Sequence, residues 1–314
     1  MENLLFSFNA TLPIFLTMAL GMVFRKVGLM DEAFVAKMNK FVFVAALPVL
    51  LFQDLSGTDF YEAWDTRFVL FCFFATLAGI LLVWGLSFFL KDKSIQGEFI
   101  QAGYRSSAAI LGIAFIQNIY GDSGMAPLMI IGTVPLYNIM AVVVLSLVKP
   151  ERGKLSGALL KKTVKGILTN PIILGIAAGL VWSLLKIPQP EILQKTVKNV
   201  AVLATPLGLM AMGASFDPSK VSGKLRPAIG ASFLKLVGLA ALFLPLAVRM
   251  GFREEKLVAI LVMLGSASTV SCFIMAKNMG HEGVLTSAVV MITTLFSAVT
   301  LTVWLFLLRT LGLI

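Results

Sequence analysis

Two cations stand in otherwise apolar sequence. Arg105 lies in GYRSSAAILGIAFIQNIYG, which begins at Gly103, and Lys235 lies in ASFLKLVGLAALFL, which begins at Ala231. The 16 acids and the other Lys and Arg residues fall in predicted loops or at helix boundaries. A charge inside a bilayer is costly and marks a functional site by default. Two cations with no anion beside them suit an anionic substrate, and they leave out the embedded carboxylate that proton or sodium coupling commonly uses. Hydroxyls accompany Arg105 in sequence and in repeat register. Ser106 and Ser107 follow Arg105, while Ser266, Ser268, Thr269 and Ser271 cluster in LGSASTVSCFIMAKNMG from Leu264. Asn138, in VPLYNIM, adds a polar amide at membrane depth. These nine residues are the candidate substrate contacts. Each has a plainer reading beside it. Lys235 could snorkel or pair with a helix-end carbonyl, the small residues could serve close helix packing, and Asn138 could bond one helix to another.

The elements that must hold these residues follow from composition. The chain has 314 residues, of which 58% are hydrophobic and 13% charged, and its mean hydropathy is +0.93. That is too little polar surface for a soluble protein of this size. A bilayer core needs about 20 apolar residues per helix. Ten such stretches are predicted, at about 4–24, 34–53, 68–90, 98–119, 125–148, 167–186, 192–215, 227–248, 256–276 and 284–308. Ser, Thr and Gly runs in the fourth and ninth permit unwinding, which a membrane tolerates only where backbone is buried in protein or lines a cavity. Two broken helices crossing at mid-membrane would aim half-helix N-termini at an anion.

A long internal repeat supports this plan. Residues 13–51 align without a gap on residues 171–209, so that Pro13 meets Pro171, Gly21 meets Gly179, Lys37 meets Lys195, Lys40 meets Lys198 and Pro48 meets Pro206. With one residue of adjustment Ser107 meets Ser266, Gly121 meets Gly280 and Gly124 meets Gly283. Five helices per copy would invert the second copy in the membrane. The expected fold is therefore an all-α membrane protein with ten transmembrane helices in two inverted repeats of five. Residues 1–148 would form the first repeat, 149–166 a basic cytoplasmic linker, and 167–314 the second. Pro48 and Pro206 would kink matched scaffold helices.

Basic residues accumulate on the cytoplasmic side, and their distribution over the predicted loops puts both termini outside. This bias accounts for the net charge of +10. Basic residues spread over separate short loops give no support to a nucleic-acid role. Met1, Glu2 and Asn3 provide no positive n-region, so the first apolar run is expected to be a retained helix. Cys72 and Cys272 lie inside predicted spans and the single His lies in a loop. No metal, cofactor or disulfide is expected from them. No nucleophile with a base and no phosphate loop is visible, so an enzyme is not expected.

Several stretches resemble the auxin efflux carrier family: KMNKFVFVAALPVLLF from Lys37, LGIAFIQNIYG from Leu111, TNPIILGIAAGL from Thr169, ATPLGLMAMGASF from Ala204 and AKNMGHEGVLTSAVVMITTLFS from Ala276. The resemblance runs nearly end to end. It implies a fold similar to the sodium/proton antiporter and bile-acid transporter group. There, the first, second, sixth and seventh helices form a scaffold through which copies pair as a homodimer, and the others move. It also implies an organic-anion substrate, auxin in plants and malonate, malate or similar carboxylates in microbial relatives. This chain departs from the family pattern where Ser107 replaces Asn, and where Ala114 and Ala267 stand near positions usually held by Pro.

The reading that results is a secondary transporter or facilitator of small carboxylates in the cytoplasmic membrane, exporting by anion uniport. A proton- or sodium-coupled dicarboxylate symporter is the first alternative. A membrane sensor on a transporter scaffold is the second.

Overall fold

The computed structural model describes residues 2–56, 64–108, 113–120, 125–148 and 164–314, and all regular structure among them is helical. Helix α1 covers Glu2–Lys26. Helix α2 covers Glu32–Ser56, with a π-helical turn at Val42–Ala46. Then come α3 (Thr66–Ser87), α4 (Gln96–Tyr104), α5 (Ile113–Tyr120) and α6 (Ala126–Leu147). In the second half α7 is Pro171–Leu184 and α8 is Glu191–Ala214. Helix α9 is Leu225–Arg249, with a second π-helical turn at Leu234–Gly238. Helices α10 (Glu254–Gly265), α11 (Ser271–Asn278) and α12 (Val284–Thr310) complete the chain.

Polar residues start the helices. Asp31 accepts the Phe34 N–H at 2.6 Å, Asp65 accepts that of Phe68 at 3.0 Å, and Asn170 accepts that of Ile172 at 2.9 Å. Each supplies an acceptor to a first-turn donor that has no partner inside its helix. The π turn in α2 immediately precedes Pro48, and it closes with Leu47 N–H on Val42 O. Pro48 lacks the N–H that would continue the ladder, so a wider turn here avoids the clash of its ring with the preceding carbonyl. The π turn in α9 has no proline near it.

The expectation of ten spans in two inverted repeats of five is not met. Among the described residues six helices are long and apolar enough to cross a membrane: α2, α3, α6, α8, α9 and α12. The physical reason lies in the backbone. Arg105 (φ −77°, ψ 129°) and Ser266 (φ −76°, ψ 165°) are extended. The stretches predicted as fourth and ninth spans therefore hold helices of nine, eight, twelve and eight residues, each far short of a span. Helix α7, at 14 residues, is also short. Of the linker expected at 149–166, residues 149–163 lie outside the described residues, as do Gly121 and Gly124.

The duplicated stretches pack on each other reciprocally. Helix α1 lies along the second half of α8, and the second half of α2 lies along α7. Glycine permits both approaches. A Cβ at Gly213 would stand 1.9 Å from Met18 O, and one at Gly175 would stand 2.5 Å from Pro48 O. The halves of the chain interlock further, with α4 against α9 and α12, and α6 against α10 and α11. Large apolar side chains remain exposed on the outer faces, among them Leu16 and Leu20 on α1, Phe74 and Leu81 on α3, and Phe296, Val303 and Phe306 on α12. An apolar belt of this extent is stable only in lipid, and the protein is a multi-pass membrane protein.

Candidate functional site

Arg105 ends α4. Its backbone N–H still bonds to Gln101 O at 3.2 Å, but its extended ψ turns the chain out of the helix. The side chain is 4% exposed. Its Nη2 donates to Asn138 Oδ1 on α6 and its Nη1 to Met275 Sδ on α11 at 2.9 Å. Asn138 is fixed in turn, because its Nδ2 donates to Val134 O at 2.8 Å. An amide oxygen and a thioether orient the guanidinium without neutralising it.

The two breaks lie side by side and satisfy one another. Ser107 N–H donates to Ala267 O at 2.9 Å, and Ser268 Oγ donates to Ala102 O at 2.7 Å. Ser106 Oγ donates to Met263 O, which Tyr137 Oη also reaches at 3.0 Å. Tyr137 is itself held from behind by Tyr104, whose Oη donates to Tyr137 O at 3.1 Å. Ser268 N–H donates to Thr293 Oγ1 on α12 at 3.0 Å. Thr269 Oγ1 and Ser271 Oγ lie 3.1 Å apart at the start of α11. Extended backbone is affordable here because hydroxyls and carbonyls from the opposite break supply the missing hydrogen bonds.

A cavity of about 60 Å³ opens where the breaks meet α2 and α6. A single water needs roughly 10–15 Å³ on this measure, so a short-chain acid fits. Arg105, Ser106, Ser107, Asn138, Thr269 and Ser271 line it. Lys235, Ser266 and Ser268 are not among its lining residues. Lys235 is 0% exposed and its Nζ donates to Leu264 O, the helix-end pairing that was the plainer of its readings. Asn138 bonds helix to helix and also faces the cavity.

Two carboxylates correct the sequence reading of an interior without acids. Asp54, expected in an outer loop, sits in the last turn of α2 and lines the cavity with Arg105. Glu98 is 1% exposed, and its two oxygens accept from Gly283 N–H, Thr286 N–H and Thr286 Oγ1, each at 2.9 Å. Glu98 thereby caps the positive start of α12. Sequence reasoning also missed Tyr137, Thr205 and the apolar wall of Leu47, Leu50 and Leu51. The matched prolines were the available signal, because Leu47 and Thr205 immediately precede Pro48 and Pro206.

Outside the spans, Asp65 Oδ2 pairs with Lys256 Nζ at 2.6 Å. The hydrogen bond from Lys256, with that from Phe68 N–H, holds the Asp65 carboxyl below its ordinary value of 3.8. This pair ties the start of α3 to α10, which carries the carbonyl side of the second break.

Comparison with known proteins agrees with the motifs. The chain is 26% identical over 284 residues to a protein of Rhizobium meliloti (strain 1021) named "Putative malonate transporter", an alignment that covers 87% of this chain and 86% of the relative. The profile of the family described as "Membrane transport protein" matches residues 6–305. That match takes in α2 to α11 whole, both breaks and the cavity between them, and the chain belongs to the membrane transport protein family.

Proposed function

We propose that the protein is a secondary transporter of short aliphatic carboxylates, with Arg105 as the residue that draws the substrate into the cavity. One observation carries the reading: a buried guanidinium on a cavity wall is held by a neutral amide and a thioether. A desolvated charge favours an ionic partner strongly, and a carboxylate can meet a guanidinium through two parallel hydrogen bonds. Ser106, Ser107, Thr269, Ser271 and Asn138 surround that position with further donors. The start of α11, at Thr269 to Ser271, adds the partial positive charge of a helix N-terminus. Ser268 and Lys235 act from behind, by holding the breaks open, and Ser266 contributes the extended backbone of the second break. The cavity volume favours a short acid over an indole ring. The name of the Rhizobium relative points the same way, to malonate.

Alternating access would come from movement of the elements carrying the breaks against those that pack α1, α2, α7 and α8 together. Uniport of an anion moves net charge and is electrogenic. A potential negative inside drives export by about 2.3 kcal/mol per charge for each 100 mV. Asp54 favours a second reading. A carboxylate on the cavity wall that holds Arg105 could take up a proton when the substrate anion binds, which would make transport a proton-coupled symport.

The test is current across a membrane carrying purified protein, with malonate, malate, acetate and an indole acid, in wild type and Arg105→Ala. Substrate-dependent current in wild type and its loss in the variant are the expected outcome. Equal currents in both would remove Arg105 from the site, and silence with every acid would overturn the substrate class.

A further inference from the structure

The end of α10 leaves carbonyls that have no partner inside their own helix, and Met263 O and Leu264 O find theirs in side chains from other segments. Ser266 N–H returns to Val262 O at 3.1 Å. Met263 O receives the hydroxyls of Ser106 and Tyr137. Leu264 O receives the Lys235 side-chain amine. Two residues on, Ser266 Oγ is buried and has no hydrogen-bond partner among the described residues. The C-terminus of a helix carries about half a negative charge, and in transporters with broken helices such ends, with unwound carbonyls, coordinate the coupling cation. In this chain the amine of Lys235 stands at that place.

The local structure is built for this. Lys235 sits inside the π-helical turn Leu234–Gly238, which closes with Leu239 N–H on Leu234 O and has no proline to cause it. Such turns carry an extra residue and are frequent at functional positions. The turn packs on α10, α12 and α4, and Trp304 Nε1 on α12 donates to Leu236 O at 3.3 Å. Lys235 is 0% exposed and does not line the cavity, so it is aimed at the break and not at the substrate.

We infer that Lys235 is a tethered substitute for a coupling cation: its side chain occupies the negative end of α10, holds the second break in its extended geometry, and makes the protein independent of sodium. Lys235 is on this account a positioning residue that acts on substrate through the α10 end. Removing its side chain would leave Leu264 O as a buried carbonyl beside an empty space at the negative end of α10, a place that a small monovalent cation could take. The substrate half of the argument rests on the transporter reading, whereas the cation half does not, and the experiment separates them.

Purified wild type, Lys235→Ala, Lys235→Met and Lys235→Arg are compared in sodium, lithium, potassium and choline chloride at equal ionic strength. Thermal unfolding in detergent and malonate flux into liposomes are measured for each. Wild type is expected to be indifferent to the cation in both. Lys235→Ala is expected to lose about tenfold or more of its flux in choline and to regain most of it in sodium or lithium, within the usual range of site-to-site coupling. Its Tm should rise by about 2–4 °C with the same ions. Lys235→Arg should retain cation-independent flux, and Lys235→Met, which fills the space, should respond to no cation. Sodium-dependent flux in wild type would overturn the inference. So would Lys235→Ala that is fully active in choline, or one that folds but shows no cation response in flux or Tm. Failure of every acid in wild type would count against the substrate reading, while the cation dependence of Tm in Lys235→Ala would still decide the role of Lys235.

Discussion

Arg105 and Asp54 define the cavity chemically. The guanidinium is fixed by Asn138 and Met275, and the carboxylate lines the same space from the last turn of α2. An anion entering between them gains a partner in one and meets like charge in the other, and protonation of Asp54 would remove the second effect. Asp54 does not act alone on its own helix face. Arg105 faces it across the cavity, α8 carries Glu191, Lys195 and Lys198 close to the neighbouring Gln53, and α7 carries no charged side chain. If the coupled reading holds, flux in wild type rises with an inward proton gradient and Asp54→Asn makes flux insensitive to that gradient. Flux in wild type that ignores a pH gradient at fixed potential would select uniport. At this scale the sequence disclosed Arg105, because a charge among apolar residues is visible in one dimension. It did not disclose Asp54, whose place after a predicted span looked like a loop until the helix was seen to continue through Ser56.

Between residues and whole stand the breaks, and they depend on how α3 and α10 are anchored. Asp65 serves twice, as N-cap to Phe68 N–H and as partner to Lys256. Its carboxyl is lowered in the folded protein by the Lys256 hydrogen bond first and the Phe68 N–H second. A lowered folded value means that its contribution is fully present above the ordinary value of 3.8 and is lost as pH falls through the lowered one. Asp65→Ala should therefore cost about 1 kcal/mol at neutral pH, the usual worth of an N-cap. The gap in Tm from wild type should stay constant down to the ordinary carboxylate range and then close under acid. A gap that persists unchanged in strong acid would show that the carboxylate charge contributes nothing. The breaks themselves were legible as runs of Ser, Thr and Gly. Their consequence for span length was not, because local composition permits unwinding without requiring it. The extended backbone at Arg105 and Ser266 is held by bonds such as Ser107 to Ala267 and Ser268 to Ala102, between residues far apart in the chain.

On the scale of the molecule, α1 packs closely on α8 and α2 on α7, because glycine lets their backbones touch. Elements carrying the breaks meet these four helices at polar points among the described residues. One is Asn278 at the end of α11, whose Nδ2 donates to Asn39 O on α2 at 3.2 Å. A transporter that works by relative motion of these parts must break or slide this contact. The pair Asn39→Cys with Asn278→Cys, cross-linked, is expected to abolish flux, and reduction is expected to restore it. Flux that survives complete cross-linking would place the motion elsewhere.

The sequence by itself determined that this is a membrane protein, which family its motifs resemble, and that Arg105 is a buried charge. The first and last follow from hydropathy and from the cost of charge in lipid, and the resemblance follows from the order of its motifs, so all three are properties of residue order. Tertiary structure decided the rest: which helices remain long enough to span, that Asp54 reaches the cavity, and that Lys235 turns away from it to the end of α10. These depend on hydrogen bonds between segments distant in the chain. Such bonds form only once helix packing has excluded water and left each unpaired carbonyl and hydroxyl to find its partner in the protein.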